Sequence, residues 1–164
     1  VEQSIVDLGG LLDKRKEAES LKADFQREFA EPARFSSESV LIIMTGSSIQ
    51  KGQIWYIRDD SLHGAALRAA GFRNAAPVVK TTPSMSVEEL IRVNPDIILL
   101  IGPDASPESA AELIEELVQI PELQAVQSKK IAQIAMKNAV GIGVNILNLP
   151  RKITETIDSI AAKQ

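Results

Sequence analysis

Two short runs, Val40-Leu41-Ile42-Ile43-Met44 and Ile97-Ile98-Leu99-Leu100-Ile101, are apolar at every position. A strand with one wet face alternates in polarity, whereas a strand with no polar position has to be buried on both faces. A parallel sheet covered by helices above and below meets that condition. The rest of the chain supplies such helices. Ser61 to about Ala70 reads as a helix with Gly71 just beyond its end, where glycine accepts the left-handed turn. Ser86-Val87-Glu88-Glu89 opens another, which Asn94-Pro95 closes. Ser106-Pro107 begins one that runs to about Gln119, using proline where its missing N–H is harmless. Pro150 begins the last, with Ile153, Ile157 and Ile160 on its inner face.

Further strands are expected at Pro77–Lys80 and Ile131–Ala135, giving at least four parallel strands near 40–45, 77–80, 96–101 and 131–135. Strands alternating with helices predict an α/β fold: a Rossmann-like, three-layer lobe with a mostly parallel central sheet. Its 164 residues are enough for one such domain.

The first thirty residues read as helix. Ile5, Leu8 and Leu12, then Ala18, Leu21, Phe25 and Phe29, recur at helical steps. Gly9-Gly10 interrupts this pattern, and Asp13 is the expected N-cap of a second helix ending at Glu31-Pro32. The apolar pattern is already running at Val1 with no cap before it, as expected of a helix cut inside a longer one.

Charge and composition exclude several functions. The net charge is −4 and no Lys/Arg stripe appears, which argues against a nucleic-acid partner. With no cysteine there are no disulfides and no thiol or zinc–cysteine chemistry. No apolar run approaches the roughly 20 residues of a membrane span. The chain opens on Val1, so the lack of a leader says nothing about export.

In a parallel sheet ligands gather at the carboxyl ends of the strands. The loops to weigh are therefore Thr45–Asp60, Thr81–Met85, Gly102–Ala105 and Met136–Leu149. Catalytic signals are sparse there. His63 is the only histidine and sits within a helix with no evident partner. Thr45-Gly46-Ser47-Ser48 could contact an anion, but small polar residues after a strand are ordinary turn chemistry. Asp59-Asp60 reads as a carboxylate pair or as the acidic start of the next helix. The long stretch Ile49–Arg58 carries the only Trp and the only Tyr side by side. Trp55 and Tyr56 either cover an apolar ligand or pack against the lobe.

The candidate ligand residues are Ser47, Ser48, Trp55, Tyr56, Thr82, Lys137 and Asn138. Lys51, Arg58 and Lys137 would suit an anionic iron complex, and the apolar Val140–Leu149 a macrocycle. No cofactor, resident metal or catalytic group is expected. In the capping box Ser86 and Glu89 serve each other, which leaves Glu88 free in the first turn.

Several stretches fall in a familiar order. Leu8–Leu12 precedes Glu17-Ala18-Glu19-Ser20-Leu21. Ala69-Ala70-Gly71-Phe72-Arg73-Asn74 closes a helix. Ser86-Val87-Glu88-Glu89-Leu90 leads to Asn94-Pro95-Asp96-Ile97-Ile98, then come Pro121-Glu122-Leu123-Gln124-Ala125-Val126 and Pro150-Arg151. This series resembles the C-terminal lobe of the class III periplasmic binding proteins, which serve siderophore, haem and cobalamin importers of the ABC type. The resemblance implies two α/β lobes joined by a long helix, with the ligand between them. Residues 1–12 would be the end of that helix and residues 13–164 the C-terminal lobe, with an N-terminal lobe missing from this chain.

It further implies a periplasmic or lipid-anchored extracytoplasmic protein that is not an enzyme. Its partners would be a ferric siderophore, haem or cobalamin and an ABC permease. Glu88 falls where the family places the acid that meets permease arginines. Thr82 falls where cobalamin binders place a tryptophan, a departure from the cobalamin pattern. Two other classes stay open on the residues alone: a flavodoxin-like enzyme or nucleotide-binding domain, and a lobe reused as a sensor or interaction module.

Overall fold

The computed structural model describes residues 1–76, 82–103, 107–141 and 143–162. Two apolar strands form its centre. β1 (Ser39–Met44) and β5 (Ile97–Ile101) pair in parallel over five residues, from Val40–Ile97 to Met44–Ile101. β3 (Arg73–Asn74) lies parallel on the outer side of β1, and β6 (Ile131–Gln133) on the outer side of β5. The sheet order is β3-β1-β5-β6, all parallel. The strand expected at 77–80 lies outside the described residues.

The pleat sends alternate residues to opposite faces, and each face has its own helices. Leu41, Ile43, Ile98 and Leu100 pack with Leu90 of α4 (Val87–Val93) and with Leu113 and Leu117 of α5 (Pro107–Leu117). Ala125 of α6 (Gln124–Gln127) joins them. Val40, Ile42, Ile97, Leu99 and Ile101 pack with Ala66 and Leu67 of α3 (Leu62–Ala69) and with Ile153, Ile157 and Ile160 of α7 (Leu149–Ala161). The result is the three-layer α/β lobe expected from the sequence.

Helix punctuation follows local chemistry. The Ser61 side chain accepts from Gly64 N at the start of α3, and Gly71 follows its end at φ +87°. Ser86 and Glu89 form the full capping box of α4, and Asn94 closes it in the left-handed region. One lattice of expectations fails at the N-terminus. α1 (Glu2–Leu11) runs straight through Gly9-Gly10. A Cβ added at Gly9 would lie 2.2 Å from the Ala18 Cβ, so this glycine lets α1 lie close against α2 (Arg15–Glu28). Asp13 is not an N-cap: it turns the chain between the helices at φ +55°, and Lys14 precedes α2 without a side-chain cap.

Candidate functional site

The segment after β1 is folded rather than an open loop. Ser48 and Gln53 exchange two backbone hydrogen bonds, of 2.9 and 3.0 Å, and Gly52 closes the turn by donating to Ile49 O at 2.9 Å. Gly52 sits at φ +62°, a conformation that glycine adopts without strain. Beyond this hairpin, β2 (Ile54–Trp55) pairs antiparallel with β4 (Ser84–Met85). The Ser47 hydroxyl accepts from Trp55 N at 2.8 Å and donates to Trp55 O at 3.3 Å. Ser48 Oγ accepts from Lys51 N at 3.3 Å. Both serine side chains therefore shape the hairpin that carries Trp55.

Strand alternation separates the two aromatics. Ile54 and Tyr56 point inward, and Trp55, between them, stays half-buried. Tyr56, expected on the ligand surface, is 1% exposed among Leu41, Ile43, Met85 and Leu100. Its hydroxyl is buried without a hydrogen-bond partner among the described residues. The two residues thus cannot share one surface, because neighbours along a strand face opposite ways.

Thr82 is exposed, two residues before the β4 partner of Trp55, and its carbonyl accepts from Ser84 N at 2.8 Å. Lys137 and Asn138 are exposed at the other side of the same edge, after β6. Asn138 N donates to Pro103 O at 2.9 Å, tying the loop after β6 to the loop after β5. Asn138 lies at φ +57°. Asparagine tolerates that region better than most residues, so the backbone accounts for its identity. The candidate residues thus form two groups at the carboxyl edge: Ser47, Ser48, Trp55 and Thr82 on the β1 side, Lys137 and Asn138 on the β6 side.

The charged candidates also divide. Arg58 pairs with Asp60 at 2.9 Å and Arg68 with Asp59 at 2.8 Å, so Asp59-Asp60 is no free carboxylate pair. Lys51, at the hairpin turn, and Lys137 are both exposed. An apolar cleft of about 480 Å3 opens at this end of the lobe, lined by Ile5, Leu8, Phe25, Leu62, Ile146 and Leu147. It adds an apolar wall formed by α1, α2, the start of α3 and the 3-10 turn Val144–Asn148.

Two residues important to this edge carry little sequence signal. His63 is buried, and its Nε2 lies 2.8 Å from Ala139 O, in the loop after β6. A carbonyl only accepts, so Nε2 carries the proton and donates. The helical spacing of His63 with Ala66 and Leu67 is its one sequence hint of burial. Glu116 of α5 accepts from Ile49 N at 2.7 Å, and nothing in its local sequence announces that contact.

Glu88 is exposed in the first turn of α4 but is not wholly free. The Ser86 hydroxyl, followed by the Glu88 N–H, holds its carboxyl below the usual glutamate value. Among the described residues no three acidic or histidine side chains converge as a metal centre would need.

Solved structures of other proteins share this fold, three of them as follows. An ABC transporter substrate-binding protein from Listeria monocytogenes EGD-e matches at 20% identity and TM-score 0.72, covering 96% of this chain and 63% of that one. IsdE of S. aureus, complexed with heme, matches at 22% and 0.67, covering 95% and 63%. An ABC-type Fe3+-hydroxamate transport system protein from Saccharomonospora viridis matches at 21% and 0.69, covering 95% and 54%. The chain therefore spans between about half and two thirds of the length of these structures. A comparison with curated proteins found no match. The model of the periplasmic binding protein family matches residues 1–136, most of the chain, and on that match the chain belongs to the periplasmic binding protein family.

Proposed function

We propose that this chain is the C-terminal lobe of an extracytoplasmic solute-binding protein. It would present the carboxyl edge of its sheet to a bulky iron complex, haem or a ferric siderophore, for delivery to an ABC permease. The observation that carries this reading is the edge itself. A folded hairpin holds Trp55 half-buried, and exposed Lys51 and Lys137 flank the strand ends. Trp offers a flat apolar face with a polar tip, and lysines offer charge to carboxylates or to an anionic chelate. The haem-complexed and Fe3+-hydroxamate relatives of the same fold support the choice of ligand class. Cobalamin has less support, since Thr82 stands where the resemblance places a tryptophan.

Residues 1–12 would then be the end of the helix that joins two lobes. A ligand held between two walls loses part of its contacts on one lobe. Halving the binding free energy of a micromolar complex removes about 4 kcal/mol, so the isolated lobe is expected to bind far more weakly than the two-lobed protein.

The direct test is titration with haemin and with a ferric hydroxamate, following Trp55 fluorescence in this chain and calorimetry in the longer protein. Quenching that saturates, and that Lys137→Ala weakens, supports the reading. No quenching by either compound at millimolar concentration, together with no heat in the longer protein, removes it.

Glu88 is proposed as this lobe's docking charge. It is exposed, and the Ser86 hydrogen bond favours its ionised form. Complementary rim charges set the rate of encounter, so Glu88→Ala should slow permease association, and the defect should shrink as salt rises. Glu89→Ala is the control. It removes one half of the capping box, lowers stability by about 1 kcal/mol, and leaves docking unchanged.

A further inference from the structure

Trp55 is held by its pairing with β4, whereas the turn 48–53 that precedes it is tied to the rest of the described residues by one side chain. Among the described residues, the turn 48–53 makes its other hydrogen bonds within itself. The exception is Ile49 N, which donates to Glu116 Oε2 at 2.7 Å across a separation of 67 residues. The Ile49 side chain packs, partly buried, against the apolar cluster to which Leu113 and Leu117 of α5 also belong. A carboxylate that accepts a backbone N–H makes a charge-assisted bond, shorter and stronger than a neutral one.

The position of Glu116 is otherwise unfavourable. It is the penultimate residue of α5 (Pro107–Leu117), and the last turn of that helix has no basic residue. The carboxyl end of a helix carries partial negative charge and disfavours acids. The helix gains nothing electrostatically from Glu116, whereas the turn gains its only hydrogen bond to the helix layer among the described residues.

We propose that Glu116 is a positioning residue. It fixes the hairpin against α5, so that Trp55 and Lys51 are presented to the ligand in one orientation. This rests on the reading of the carboxyl edge as the ligand face. Glu116 touches no ligand itself; it acts through the Ile49 amide and the ladder that continues through Ser48, Gln53 and the Ser47–Trp55 bonds.

Two variants separate the hydrogen bond from the charge. Glu116→Ala removes both, whereas Glu116→Gln keeps an amide oxygen that can accept from Ile49 N. Glu115→Ala removes a neighbouring exposed charge and serves as control. Lys51 is an exposed trypsin site on the hairpin itself, so cleavage after Lys51 reads the clamp without any ligand. Glu116→Ala should speed that cleavage about tenfold while lowering the thermal midpoint by no more than the loss of one such bond, and should make Trp55 more accessible to acrylamide. Glu116→Gln should restore most of both properties. Haemin affinity should fall about tenfold in Glu116→Ala and recover in Glu116→Gln.

Unchanged Lys51 cleavage in Glu116→Ala, or equal acceleration in Glu115→Ala, overturns the clamp. Faster cleavage with unchanged haemin affinity overturns its role in binding. If the parent protein binds neither haemin nor a ferric hydroxamate while the cleavage results hold, the ligand reading falls and the clamp stands as a purely structural tie.

Discussion

The two ends of the sheet use polar side chains in opposite ways. At the amino end, side chains are tied mostly to each other and to the backbone at or just before the first strand residues. Asp96 Oδ2 accepts from both Ser39 N and Ser39 Oγ at 2.8 Å, and Ser39 Oγ accepts in turn from Asp96 N at 3.3 Å. Lys130 pairs with Glu38, and Arg73 donates to Ser37 O at 2.7 Å. At the carboxyl end, the side chains grip loop backbone instead. Glu116 holds Ile49, Ser47 holds Trp55, and His63 holds Ala139. Thr82, Lys137, Asn138 and Lys51 are left exposed between these anchor points. One end closes on itself; the other has fixed loops with exposed polar groups, which is what a ligand-facing surface requires.

The sharpest way to break this contrast is to cut the amino-end network. Asp96→Ala leaves the partly buried Ser39 N–H and hydroxyl without their charged acceptor. Hydrogen bonds to charged groups contribute about 1.5–3 kcal/mol, so a loss of about 2 kcal/mol in a denaturant titration is expected, with Trp55 quenching by haemin unchanged. Altered haemin response at full folding would mean that the two ends are not independent.

The same carboxylate gives a pH dependence. The Ser39 backbone N–H, then the Ser39 hydroxyl, holds Asp96 below its ordinary value of 3.8. A carboxylate with a depressed folded-state pKa binds fewer protons folded than unfolded, so stability rises with pH in that window. Its contribution is complete above the ordinary value and disappears as pH falls below it toward the lower folded value. Asp96→Asn should therefore flatten the acid limb of a stability-against-pH curve below about pH 4. An unchanged limb in the variant would assign acid unfolding to other carboxylates.

What the sequence revealed follows the same division. β1 and β5 were legible because burial on both faces leaves no polar position, and their bounds agree with the expectation to within one residue. Ser61, the Ser86–Glu89 box and Gly71 were legible because capping is local chemistry. β3 was not: its two residues pair only because β1 lies beside them. Gly9-Gly10 misled because close contact with Ala18 outweighs the low helix propensity of glycine. Trp55 and Tyr56 were read as one surface because the segment looked like a loop. Once Trp55 pairs with Ser84, the period of two forces them apart. Glu116 escaped notice, and His63 was weighed without its partner, because their contacts span 67 and 76 residues, which no local pattern encodes.

A smaller effect is expected at the second carboxyl-end anchor. His63→Leu keeps apolar bulk on the buried face of α3 but leaves Ala139 O without its donor. One carbonyl left unpaired on the fully buried Ala139 should reduce stability by about 1 kcal/mol or somewhat more. The diagnostic signal is local: amide hydrogen exchange should quicken across residues 136–141 and stay unchanged in β1 and β5. Uniform acceleration across the sheet would show that His63 supports the core rather than the loop.

The smallest effect is expected at Tyr56, and its sign is the informative part. The hydroxyl lies in an apolar cluster with no hydrogen-bond partner among the described residues, while the ring fills space among Leu41, Ile43, Met85 and Leu100. A buried polar group without a partner forfeits its bonds to water and gains none in return. Phenylalanine keeps the ring and removes the unsatisfied oxygen, so Tyr56→Phe should leave stability unchanged or raise it by up to about 1 kcal/mol. Were Tyr56 part of the ligand surface, as its place beside Trp55 first implied, the variant would instead keep its stability and lose haemin affinity. Thermal unfolding and haemin titration on the same sample separate these outcomes. A stable variant with parental affinity places the aromatic contribution to the site on Trp55 alone. A destabilised variant means that the hydroxyl has a partner in the folded protein, and the inner face of the hairpin is then more polar than its packing shows.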